Sequence, residues 1–171
     1  MNIRFLTRFI AGLVLGLILL PTLSHAQAIR LDDSASPRYQ VESLQVLSEK
    51  GEPLDQSINP QLALLEFGLV EYKLATAEFV GQRVQLYYVV PSAIKGLLSP
   101  NALSVKWHGN NGLTDGTAYA GERRLVWTGT IQEPWFNASI YLSAQVHLSQ
   151  LRLRSNEVFG FESYFELEVL P

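Results

Sequence analysis

Cysteine is absent from all 171 residues, so disulfides, thiolate metal sites and thiol nucleophiles play no part in this chain. Histidine is nearly as scarce, at His25, His108 and His147. The sequence contains neither a His-Glu-x-x-His spacing nor a Gly-x-Ser-x-Gly elbow, the marks of common zinc and serine hydrolases. Positive charge is in deficit, with 13 Lys and Arg against 16 Asp and Glu. Nucleic acid and anionic membrane surfaces are therefore poor partners.

The longest apolar run, Phe9 to Leu20, falls short of the roughly 20 residues that cross a bilayer as a helix. Arg4 and Arg8 precede it, and Pro21 and Ser24-His25-Ala26 follow. That order predicts a signal peptide over residues 1–26, cleaved before Gln27. An uncleaved anchor is the alternative. Cleavage would leave eleven Lys and Arg against sixteen Asp and Glu. The expected location is secreted or periplasmic, in a bacterial envelope, with no transmembrane segment after cleavage. About 145 residues would remain, enough for one domain with its own core.

Residues 27–37 are small and polar, and are expected to form a flexible tether before a domain spanning 38–171. Arg38–Leu47 alternates imperfectly, so a strand with a bulge near Glu42–Ser43 is expected. Gln61–Thr76 is ambiguous. Asn59-Pro60 could cap a helix, yet Phe67, Leu69, Val70, Tyr72 and Leu74 suit a strand buried on both faces. The strand is favoured because its neighbours alternate: Val84–Val90, Leu103–Trp107, Arg123–Ile131 and Gly160–Val169. Leu125, Trp127 and Ile131 share one parity, and Trp107 and Trp127 are expected in the core.

Phe136 to Leu148 alternates without a miss, with seven apolar residues from Phe136 to Leu148 on one face. Their burial would contribute on the order of 10 kcal/mol, as an upper figure. Thirteen residues at ~3.3 Å each exceed a usual strand, so a bend or bulge inside this one is expected. About seven strands with turn cues between them predict an all-β fold, a single antiparallel β-sandwich of immunoglobulin-like size.

Few residues suggest chemistry. Glu166 and Glu168 share a strand face at a spacing of ~7 Å, which an inverting glycosidase could use. Solvated charge that protects an edge strand is the plainer account. Asn110, Asn111 and Asp115 lie in the loop Gly109–Gly121, which has the glycines of a phosphate loop but not its lysine. A flexible hairpin loop is expected there. The other face of the long strand carries Trp135, Asn137, Tyr141, Gln145 and His147 without an acid, lysine or arginine. Such a face could stack on and hydrogen-bond a sugar, or could be a solvent face whose neighbours supply the charge. Asn137-Ala138-Ser139 also forms a glycosylation sequon.

Catalysis is not expected, because no convergent titratable cluster is recognisable, and no cofactor or metal is implied. The expected function is binding or assembly in the envelope, of a pilus-subunit-like kind, with an envelope protein or a second copy as partner. The C-terminal strand, with Phe161, Phe165, Leu167 and Val169 inward, would add to another sheet. The alternative is a carbohydrate- or small-ligand-binding module using Trp135, Asn137, Tyr141, Asn110, Asn111 and Asp115.

Overall fold

The computed structural model describes residues 27–37, 45–154 and 157–171. The expected signal peptide, and the expected bulge near Glu42–Ser43, lie outside the described residues. Among these residues the chain is all-β, in two antiparallel sheets. The strands are β1 (Ile29–Arg30), β2 (Gln45–Leu47), β3 (Leu62–Ala75), β4 (Arg83–Val89), β5 (Leu103–Gly109), β6 (Gly116–Tyr119), β7 (Arg123–Thr130), β8 (Trp135–His147) and β9 (Tyr164–Val169). One sheet has the order β1-β9-β4-β7 and the other β2-β3-β8-β5-β6. No helix among the described residues is long and apolar enough to cross a membrane.

The inner residues of both sheets meet in one core. Trp107, Tyr88 and Phe165 are almost fully buried. The Tyr88 ring lies 4.9 Å from Trp107 and 5.2 Å from Phe165, centroid to centroid, and Tyr72 packs edge-on against Phe165 at 4.9 Å. These tilted and edge-to-face contacts bind the sheets more specifically than area burial alone. Trp107 Nε1 donates to the Thr114 carbonyl at 3.1 Å, so its one polar atom is satisfied.

The ambiguous segment is a strand, but it is not buried on both faces as expected. Ala63 and Leu65 point inward before residue 67, while Val70, Tyr72 and Leu74 point inward after it. A strand has period two, so this change of parity needs one extra residue. The register against β8 shifts between Glu66 and Gly68, and Gly68 adopts φ 73°, a left-handed conformation that glycine accepts cheaply. Glu71 and Lys73 thereby face outward, and Leu69 is 45% exposed. The irregularity expected inside β8 thus lies in its partner, and β8 itself runs unbroken from Trp135 to His147.

A second bulge corrects the expected parity of β7. Leu86 pairs with Trp127 and Tyr87 with Leu125, leaving Val126 as the extra residue. Val126 is the buried one and Leu125 is exposed. Trp127 still packs against the core, but at its margin, half-buried and 4.9 Å from the Phe136 ring.

The segment expected as a tether is held along its length. Ile29 and Arg30 pair with Leu167 and Glu166 of β9, and Leu31 is 4% exposed. Farther along, the Asp32 carbonyl accepts from Ala75 N at 2.9 Å, and Ser36 Oγ accepts from Lys73 N at 2.9 Å. The segment therefore leaves one sheet and closes the edge of the other. Its apolar content is small, but its backbone completes two ladders.

Candidate functional site

β9 is not the free edge that assembly through Phe161, Phe165, Leu167 and Val169 would use. It is hydrogen-bonded to β4 on one side and β1 on the other. Phe165 and Leu167 are buried, while Phe161 and Val169 are half-buried against the core. The outer face of β9 is an ion ladder. Arg123 Nη1 lies 2.8 Å from Glu168 Oε1, Arg123 Nε lies 3.4 Å from Glu166 Oε2, and the guanidinium sits 3.7 Å above the Tyr87 ring. The two glutamates are thus held by one cation, an arrangement suited to structure rather than to an acid and base acting separately.

The outer face of the five-stranded sheet differs. β8 occupies its centre; outward Tyr141, Ser143 and Gln145 have cross-strand neighbours on both β3 and β5, whereas Trp135, Asn137, Ser139 and His147 are paired with β3 alone. Leu69, Tyr141 and His108 form one row across β3, β8 and β5. Tyr141 is 54% exposed, and Trp135, at the end of β8 beyond its pairing with β5, is 40% exposed. Lys73 pairs with Asn137, and its Nζ lies 4.8 Å from the Trp135 ring centroid, a cation–π contact. The adjoining strands contribute Glu66, Glu71, Lys73 and Lys106. Charge therefore borders the uncharged strand on both sides.

Two concavities mark this face. Around Asn137, a space of about 220 Å³ is lined by Pro37, Glu71, Lys73, Asn111, Asn137 and Ser139, among others. It brings together Asn111 and Asn137, two of the residues singled out from the sequence. Asn111 adopts φ 53°, a left-handed conformation that asparagine tolerates better than most residues. Toward the other end, an open depression of about 350 Å³ is bordered by Asn101, Ser104, Tyr119, Gln145 and His147. Tyr119, Ser104 and Gln145 form one row across β6, β5 and β8. Sequence reasoning missed Asn101, Ser104 and Tyr119. The signal available was the outward parity of Ser104 and Tyr119, but only the register brings them beside Gln145.

The loop residues do not act as one group. Asp115 is turned back on the hairpin. Its Oδ2 lies 3.1 Å from His108 Nδ1 and its Oδ1 accepts from Gly109 N at 2.9 Å. These bonds, that to His108 first, hold its pKa below the usual carboxylate range. Asn110 Oδ1 accepts from Asn111 N at 2.9 Å, and Asn110 N donates to the Ser139 carbonyl at 3.0 Å. The expected flexible hairpin is thus tied to β8 and to itself. Of these loop residues only Asn111 lines the concavity around Asn137.

A third and larger cavity, about 410 Å³, lies beside the β3 bulge and includes Phe67, Tyr72, Tyr88, Leu142, Phe161 and Ser163 in its lining. Tyr72 and Tyr88 share a hydroxyl contact of 3.4 Å. Burial pushes the Tyr72 phenol well above its ordinary pKa, with the Tyr88 hydroxyl and Asp33 carboxylate adding to the rise. Burial likewise raises Tyr88, while the neighbouring Ser163 and Tyr72 hydroxyls pull it partly back.

Comparison of the chain with protein-family models, with curated proteins and with solved structures returns no match.

Proposed function

We propose that this chain is an exported, non-enzymatic β-sandwich of immunoglobulin-like size that acts by binding or assembly in the cell envelope. The outer face of the five-stranded sheet is its contact surface. One observation carries this reading: the central strand β8 exposes Trp135 and Tyr141 while the other sheet covers its outer face with the Arg123, Glu166 and Glu168 ladder. Exposed aromatics are the groups that contribute most area to an interface for little ordering entropy. Contact through this face also needs no change in the sheet, whereas strand addition at β9 requires β1 to leave. Placing a photo-crosslinking residue at Tyr141, at Tyr119 and at Thr128 of the opposite sheet tests the reading in the native host. Products from 141 and 119 but not from 128 are expected. Equal, background-level labelling at all three would sink it.

The second reading is a carbohydrate-binding module. It is favoured by the concavities at the two ends of β8, where Asn111, Asn137 and Ser139 gather at one end, next along the outward face to Trp135, and Asn101, Ser104, Gln145 and Tyr119 at the other. Such groups suit a neutral hydroxylated ligand. Saturable retention on an immobilised glycan, lost in Trp135→Ala and Tyr119→Ala, is the expected result. No retention across a broad glycan array would exclude it.

A further inference from the structure

We propose that the cavity beside the β3 bulge is a binding site for a small organic amine with an apolar body. This site does not depend on the contact surface proposed above, although Pro37, Glu71 and Tyr72 border both this cavity and the concavity beside Asn137. Its volume of about 410 Å³ lies within the usual range for small-molecule pockets, ~300–1,000 Å³. The apolar part of its wall includes Phe67, Leu142 and Phe161, with Phe67 and Phe161 packed edge to face at 5.9 Å. The bulge creates this wall, because it lets Phe67 and Val70 line the same space.

The polar groups of the cavity are short of partners. Tyr72 and Tyr88 have one long hydrogen bond between them, 3.4 Å. Ser163 is 8% exposed, and its buried Oγ, though near enough to the Tyr88 hydroxyl to lower the pKa of that phenol, makes no hydrogen bond of good geometry among the described residues. A buried hydroxyl in that state points to an absent polar group. All three hydroxyl oxygens can accept a hydrogen bond.

The charge around the cavity selects the sign of the ligand. Among the described residues Asp33 and Glu162 contribute acidic groups to its lining and no lysine or arginine does, while Glu71 borders it from the outward face of β3. Lys73, next to Tyr72, is directed outward over Trp135 instead. A carboxylate or phosphate ligand would meet like charge, whereas an ammonium would meet opposite charge, aromatic faces and hydroxyl acceptors.

A matched series isolates these contributions: octylamine, octanol and octanoate, titrated into the mature protein by calorimetry. Saturable one-to-one binding is expected for the amine, weaker binding for the alcohol and none for the acid. Ser163→Ala should weaken the amine by about tenfold, the scale of one hydrogen bond to a charged group. Glu162 is exposed, so Glu162→Gln should fold normally, weaken the amine and leave octanol unchanged. The proposal is overturned if the amine does not bind, if the three probes bind alike, or if both folded variants keep full amine affinity.

Discussion

Replacing Leu31 by alanine tests whether the N-terminal segment belongs to the folded unit. Leu31 is 4% exposed and joins the common core, although it stands in a stretch whose composition resembles a tether. Large-to-small changes at buried leucines cost about 2–5 kcal/mol, the spread reflecting how far the site collapses. Collapse is easy here, because β1 holds the segment to β9 through only two paired residues, Ile29 and Arg30. The low end, about 2–3 kcal/mol, is therefore expected. That is a large share of a typical total of about 5–15 kcal/mol. At about 2–4 °C per kcal/mol for a chain of this size, the midpoint should fall by roughly 4–12 °C. Urea denaturation followed by circular dichroism gives the free energy directly, and the slope should not change. Ile29→Ala, at a position 39% exposed, serves as the control and should cost less than about 1 kcal/mol. If Leu31→Ala and Ile29→Ala both fall within about 0.5 kcal/mol of the parent, the docked segment contributes nothing and the reasoning fails.

Other perturbations reach different parts of the structure. A Cβ at Gly116 would collide with the Trp107 indole, so Gly116→Ala should destabilise by about 1–3 kcal/mol and shift tryptophan emission. Gly160→Ala, where a Cβ meets nothing, should stay within about 0.5 kcal/mol of the parent. Arg123→Gln leaves Glu166 and Glu168 unpaired on one face, but the arginine side chain is 37% exposed, so the loss should be at most about 1 kcal/mol and shrink at high salt. Measurement at low and at 1 M salt checks this, and an unchanged loss would refute the screened ladder. Asp115 is ionised in its bonds to His108 and Gly109, with a pKa below the ordinary 3.8. Its stabilising effect is therefore complete above that pH and disappears as pH falls through its lowered value. The Gly109 amide shift in a nuclear magnetic resonance titration should follow that step, and Asp115→Asn should remove it.

Much of the all-β architecture is legible in short-range pattern. Ala138, Ile140, Leu142, Ala144 and Val146 recur at period two and are buried in β8, because a strand turns every second side chain to the same face. Likewise Val84, Leu86 and Tyr88 of β4 are buried on one parity. The β3 bulge was present in the pattern as a change of parity between Phe67 and Val70, but a strand covered on both faces has the same apolar content. Only the outward demand of Glu71 and Lys73 separates the two, and that demand takes effect once β8 pairs alongside.

The candidate surfaces divide in the same way. Trp135, Asn137 and Tyr141 could be placed on one face from their spacing, since neighbours along a strand define a face by themselves. Asn111 beside Asn137, Tyr119 beside Gln145 and Ser163 beside Tyr72 and Tyr88 are separated by long stretches of chain. Local periodicity carries no information about such pairs, because they depend on strand order and register. By itself, then, the sequence determined that this cysteine-free chain alternates into strands, with an uncharged outward face on the longest. Tertiary structure decided that Leu31 is core, that β9 is an interior strand and that three hydroxyls meet in a cavity. Each of those outcomes follows from which backbone edge lies free when another segment arrives to hydrogen-bond with it.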